Sequence, residues 1–129
     1  MTTPYQVVLV TAPDKKTAVA LAEKLVDRKL AACVNIVDSA HSIYRWENEV
    51  KRADEALMLI KTRGALVPEV VFYVKENHPY KVPEVISLPI EDGNPEYMDW
   101  LGASCKFASV NESGKFVPRP SEPPKGFEK

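Results

Sequence analysis

Histidine and cysteine are scarce in this chain, with two of each among 129 residues. Soft and borderline cations take three or four ligands from Cys, His and carboxylate groups, and the sequence holds neither a CxxC nor an HxxxH pair. A structural zinc site built by one chain is therefore not expected; a metal would need ligands from more than one copy of the chain. Cys33 and Cys105 are also too few for a disulfide framework and are expected as reduced thiols. Excess charge is missing too: 17 basic residues stand against 18 acidic ones, a formal net charge of -1. That removes the electrostatic footprint of a nucleic-acid or anionic-membrane partner. No aromatic-glycine stretch of the kind that stacks RNA bases on a four-stranded sheet is present. No apolar run approaches the ~20 residues that span a bilayer, so no membrane span is expected. Met1-Thr2-Thr3-Pro4 lacks the basic and apolar regions of a signal peptide, and the expected location is the cytoplasm. No internal repeat is evident.

What remains is an ordinary globular composition, 45% apolar and 27% charged, long enough for one domain with one core. Tyr5–Thr11 is a β-branched run that reads as a strand. Thr11 and Asp14 are spaced like a capping box, with Pro13 suited to a first helical turn. Ala18, Leu21, Ala22, Leu25 and Val26 then form the stripe of an amphipathic helix. Leu30–Ile43 is strand-like, interrupted at Asp38-Ser39-Ala40 by an expected bulge or bend, and continues through Tyr44-Arg45-Trp46. A turn at Glu47-Asn48-Glu49 returns the chain as Val50–Thr62, which makes a long hairpin. Leu66, Val67, Val70, Val71 and Val74 recur at helical spacing, with Pro68 in the first turn and Asn77-His78-Pro79 as the stop. His78–Pro83 is a loop, because two prolines bar helix and central strand. Val85–Ile90 is a fourth strand, and Asn94 caps a last helix through Trp100 towards Cys105. Phe116–Lys129 carries four of the eleven prolines and is expected as a tail, with a single domain over 1–110 and the tail over 111–129.

The order β-α-β-β-α-β plus a terminal helix predicts an α+β, ferredoxin-like fold, one antiparallel sheet with helices on one face. In such a fold the uncovered face is normally polar, which gives alternation along each strand. Here Val7-Val8-Leu9-Val10, Leu57-Met58-Leu59-Ile60 and Val34-Ile36-Val37 are apolar on both parities. The alternative, a sheet curled to bury both faces within one chain, has little chain left to form the second layer. The second face is therefore expected to meet another copy of the chain.

Several stretches resemble the CutA (divalent-cation-tolerance) family: Thr11-Ala12-Pro13-Asp14, Lys29-Leu30-Ala31-Ala32-Cys33-Val34-Asn35, Ser42-Ile43-Tyr44-Arg45-Trp46-Glu47, Lys61-Thr62-Arg63, His78-Pro79-Tyr80-Lys81-Val82-Pro83-Glu84-Val85, Leu88-Pro89-Ile90 and Gly93-Asn94-Pro95-Glu96-Tyr97. They fall in the family's order across roughly Tyr5 to Ala108. The resemblance implies a ferredoxin-like protomer in a homotrimer, architecturally similar to PII signalling proteins, with sheets facing inward. It also implies a role in tolerance of divalent metals, copper among them. His78 matches the family's His-Pro-Tyr position and is the candidate metal ligand. Where copper-binding relatives have a second His and a Cys, this chain has Asn77 and Val10.

Strand ends and subunit clefts are where concave sites gather. Lys61 and Arg63 close one strand, His78, Tyr80 and Glu84 occupy the loop before the last strand, and Tyr44 and Trp46 lie on the hairpin. Tyr44, Trp46, Lys61, Arg63, Tyr80 and Glu84 are the candidate binding residues, the two cations for a small anion and the three aromatics as flat walls. For these aromatics the reading as interface anchors stands ahead of the binding site. Lys61, His78 and Glu84 are open to a second reading as the acid-base set of a cleft enzyme, but no nucleophile or cofactor loop accompanies them and no catalytic residue is assigned. A PII-like signalling or partner-binding scaffold is the further alternative. His41 is expected at the surface, Cys33 as a small buried hydrophobe, and Cys105 as packing or a partly exposed thiol.

Overall fold

The computed structural model describes residues 3–108. Its elements are β1 (Tyr5–Ala12), α1 (Lys15–Asp27), β2 (Cys33–Trp46), β3 (Glu49–Arg63), a short 3-10 turn (Gly64–Leu66), α2 (Val67–Asn77), β4 (Val85–Pro89) and α3 (Pro95–Ala103). The predicted order holds throughout, and the predicted tail lies outside the described residues. All strand pairs are antiparallel in one sheet of order β2-β3-β1-β4. That is the ferredoxin-like order, with β2 and β4 at the edges.

Local chemistry explains most boundaries. The Asp14 carboxylate accepts from the Thr17 N–H at 2.8 Å and starts α1. Asp14 is thus the cap itself, so the predicted capping box with Thr11 does not form and Pro13 stays outside the helix. α1 ends where Lys29 takes φ 60° and the Leu30 N–H reaches back to the Leu25 carbonyl at 2.9 Å. Asn94 caps α3 by accepting from the Glu96 N–H at 3.1 Å, with Pro95 in the first turn. The hairpin turn is shorter than predicted: Trp46 pairs with Glu49, and only Glu47 and Asn48 lie between them, both at positive φ (51° and 65°). This is the backbone twist that two-residue hairpins favour. The bulge falls where predicted, between Val37 and Ala40, with Ser39 at φ 65°.

The two parities of the sheet differ in burial, with Thr11 and Glu55 the buried exceptions on the second. Val8, Val10 and Ala12 of β1 and Ala56, Met58 and Ile60 of β3 are buried against Ala18, Leu21 and Leu25 of α1 and Val70 and Val74 of α2. The Thr62 hydroxyl, on the same parity, is buried and donates to the Leu30 carbonyl at 2.6 Å. On the opposite parity the register aligns Leu88, Val7, Lys61 and Cys33 in one row and Ile86, Leu9, Leu59 and Asn35 in the next, with Thr11, Leu57 and Val37 beyond. Ile86 and Leu88 are each 52% exposed, and Val37 is half exposed. The expected apolar second face is therefore present and left open by the described residues.

Candidate functional site

The loop 78–84 folds over the end of the sheet where β1 runs into α1. The His78 ring is buried there, and its Nε2 lies 2.7 Å from the Thr11 carbonyl, while its Nδ1 accepts the Tyr80 N–H at 3.0 Å. A carbonyl only accepts, so Nε2 carries the hydrogen and both ring nitrogens are engaged. Tyr80 stacks obliquely on this ring, centroids 4.8 Å apart, and its hydroxyl donates to Glu55 Oε2 at 2.8 Å. Burial pushes the Tyr80 phenol up to about 12, helped by its bond to Glu55, by the Glu55 charge and, further off, by Tyr44 and Asp14. The Glu55 carboxylate, the His78 ring and the Tyr80 phenol are thus gathered at this end, with Tyr44 and Asp14 near enough to act on Tyr80.

Glu55 is the member that the sequence did not single out. It is a buried carboxylate in β3, on the parity of Leu57 and Leu59. It closes the charged stretch Lys51-Arg52-Ala53-Asp54, so the local pattern carries no signal of its burial.

The other predicted residues are distributed differently. Glu84 is exposed and immediately precedes Val85, which pairs with Val10, so it stands at the same end of the sheet as His78. Tyr44 and Trp46 are exposed on the hairpin arm, opposite Lys51 and Glu49. Lys61 lies at the far end: it pairs with Val7 and donates to the Asn35 side chain. Four residue steps along β1 lead from Val7 to the Thr11 bonded to His78, about 13 Å of strand. Arg63 is farther still, its Nη2 donating to the Gly102 carbonyl at 2.5 Å and its guanidinium 5.4 Å from the Phe107 ring. A single protomer therefore does not assemble Lys61, His78 and Glu84 into one acid-base set.

Two smaller expectations change. Cys33 is half-buried on the open face, across from Lys61, rather than in the core, because the strand begins one residue after the buried Ala32. His41 is exposed as predicted but has a partner, its Nδ1 lying 2.8 Å from Asp54 across the hairpin. Of the two readings of Cys105, packing or a partly exposed thiol, the structure shows the first: it is buried among core residues.

The donor set of one protomer, among the described residues, fits no metal. Among the described residues no group of three His, Cys, Asp or Glu side chains converges, and a cation at His78 would displace the bond to Tyr80 or to Thr11. No helix among the described residues is long and apolar enough to cross a membrane.

A four-stranded antiparallel sheet of this order, with helices on one face and a polar cluster under the loop before β4, defines a small α+β protein of the ferredoxin-like type. The sequence profile of the CutA1 divalent ion tolerance protein matches residues 6–104, and the chain belongs to that family. It is 50% identical over 96 residues to the divalent-cation tolerance protein CutA of Thermus thermophilus, covering 74% of this chain and 93% of that one. Against the protein CutA of Mus musculus the identity is 43% over 109 residues, 84% of this chain but 60% of the mouse protein. Two solved structures agree in fold. The divalent cation tolerance protein from Thermus thermophilus superposes with a TM-score of 0.77 at 47% identity, covering 79% of this chain and 99% of that one. CutA1 from Oryza sativa gives 0.79 at 48% identity, covering 81% and 96%. The family is one of divalent-cation tolerance, which makes metal ions relevant to its members.

Proposed function

We propose that the chain assembles as a homotrimer through the open face of its sheet and acts in divalent-cation tolerance, copper included, by binding a metal ion or small anion at clefts between copies. The observation that carries this is the open face itself. Val7, Leu9, Leu57, Leu59, Ile86 and Leu88 form one apolar surface, half-buried or half-exposed in the single protomer; full burial of an exposed side chain of this size gains about 1.5–3 kcal/mol, and covering what each still exposes gains a share of that. A cleft between copies also accounts for the two separated groups of candidate residues. Tyr44, Trp46, Tyr80 and Glu84 belong to one end of the protomer and Lys61 and Arg63 to the other, so a site that uses both draws them from different chains. Three-fold repetition multiplies each donor by three, which suits a chain with few ligands of its own. The unpaired Cys33 and Cys105 support a reducing compartment such as the cytoplasm.

Calorimetric titration with Cu(II) and Zn(II) tests the metal part, on the wild type and on Glu84→Gln and His78→Ala. Saturable binding with a stoichiometry tied to the trimer, weakened in one of the variants, is the expected result. Heats that are featureless in all three proteins remove the metal from the account.

A further inference from the structure

The outer face of α3 is an aromatic platform with no assigned partner. Tyr97 and Trp100, one helical turn apart, are 39% and 47% exposed, with ring centroids 5.3 Å apart and planes tilted by 40°. The platform sits in a strongly acidic part of the chain: residues 82–105 hold Glu84, Glu91, Asp92, Glu96 and Asp99 and no Lys or Arg. Glu96 and Asp99 flank the rings on α3 and are exposed. The sequence beyond Ala108 supplies the complementary chemistry. Pro120-Ser121-Glu122-Pro123-Pro124-Lys125 is a PxxP pattern with a cation two residues on, and Arg119 stands just before it.

We propose that this proline-rich segment, residues 118–125, is the ligand of the Tyr97–Trp100 platform on the same polypeptide. Proline-rich peptides favour the three-residue polyproline turn, which brings the two prolines of a PxxP pattern to one edge about 9 Å apart. Aromatic-lined surfaces take up such edges because the bound shape is already formed and little entropy is lost. Arg119 and Lys125 supply the cations that complement the Glu96 and Asp99 carboxylates. Reach is ample, since the nine residues between Ala108 and Pro118 span up to about 30 Å when extended. Tethering raises the local concentration to the order of millimolar, so an intrinsically weak contact is enough.

Trp100 serves as the reporter in a Trp46→Phe background, where it is the remaining one of two tryptophans. The full chain is compared with a chain ending at Ala108 and with a Pro120→Ala/Pro123→Ala variant, by the indole N–H resonance and the emission maximum. Truncation and the double substitution are both expected to move the resonance and shift emission to longer wavelength, by the same amount. A synthetic peptide of residues 116–126, added at millimolar concentration to the truncated chain, is expected to reverse the shift. An indole signal identical in all three proteins overturns the proposal. So does a signal that changes with protein dilution but not with truncation, because a second copy of the folded domain then covers the platform.

Discussion

The Tyr80 hydroxyl donates to the buried carboxylate of Glu55 at 2.8 Å, tying the loop before the last strand to the centre of the hairpin. Around this bond the loop closes over Thr11 through His78. The contact joins residues 25 positions apart and holds the end of the sheet on which the candidate site depends.

Its first consequence is a dependence on alkaline pH. The Tyr80 phenol is raised to about 12 in the fold, above the ~10 of an unfolded tyrosine. Its contribution to stability is therefore complete below pH ~10 and lost as pH rises towards 12. Absorbance titration of the tyrosinates is expected to show Tyr80 among the late groups. Burial also raises Tyr73. Glu55→Gln removes the charge that opposes ionisation and is expected to bring the Tyr80 transition to lower pH. An unchanged titration curve in that variant contradicts the assignment.

His78→Ala removes the partner of both the Thr11 carbonyl and the Tyr80 N–H. Unpaired buried groups cost about 1–3 kcal/mol each, so denaturant unfolding is expected to show a loss of about 2–4 kcal/mol. A ring held by surface contacts alone would cost less than about 0.5 kcal/mol.

Gly102 is required by a close approach rather than by its backbone angle. A Cβ at this position meets the phenol of Tyr5, with the ring Cε1 at 3.3 Å and the hydroxyl oxygen inside van der Waals contact. Gly102→Ala is expected to destabilise the docking of α3 by about 1–3 kcal/mol, as overpacking does. Adding Tyr5→Phe is expected to recover part of the loss, and thermal melts of the single and double variants measure the coupling. Strict additivity would show that the two residues do not meet.

At the hairpin tip Glu47 and Asn48 both adopt left-handed backbone angles. Glu47→Asn with Asn48→Gly places the residues favoured by this turn and is expected to raise stability by about 0.5–1 kcal/mol. A loss of stability on the same melts would mean that Glu47 makes a contact which outweighs its strain.

Much of this was legible in the sequence for identifiable reasons. The strands were readable because β-branched runs stop at proline, aspartate or asparagine. The interruption at Asp38-Ser39 announced the bulge, and the apolar residues on both parities announced a second apolar face. The turn was less legible because Glu47-Asn48 carries no glycine, and a positive φ at glutamate has no sequence signature. Thr11 looked like part of a cap, yet its carbonyl serves His78. Glu55 escaped notice because burial of a carboxylate depends on Tyr80, which approaches from 25 residues away. The grouping of Lys61 with His78 failed because chain order does not show that register places them at opposite ends of β1.

The central claim is assembly through the open sheet face, and the solution mass tests it most directly. Light scattering on the purified chain, alone and as the Leu9→Glu/Ile86→Lys variant, is the measurement. The account predicts three times the chain mass of 14.4 kDa for the wild type and a single-chain mass, with retained circular dichroism, for the variant. A single-chain mass for the wild type at micromolar concentration, or an undisturbed assembly in the variant, would contradict it.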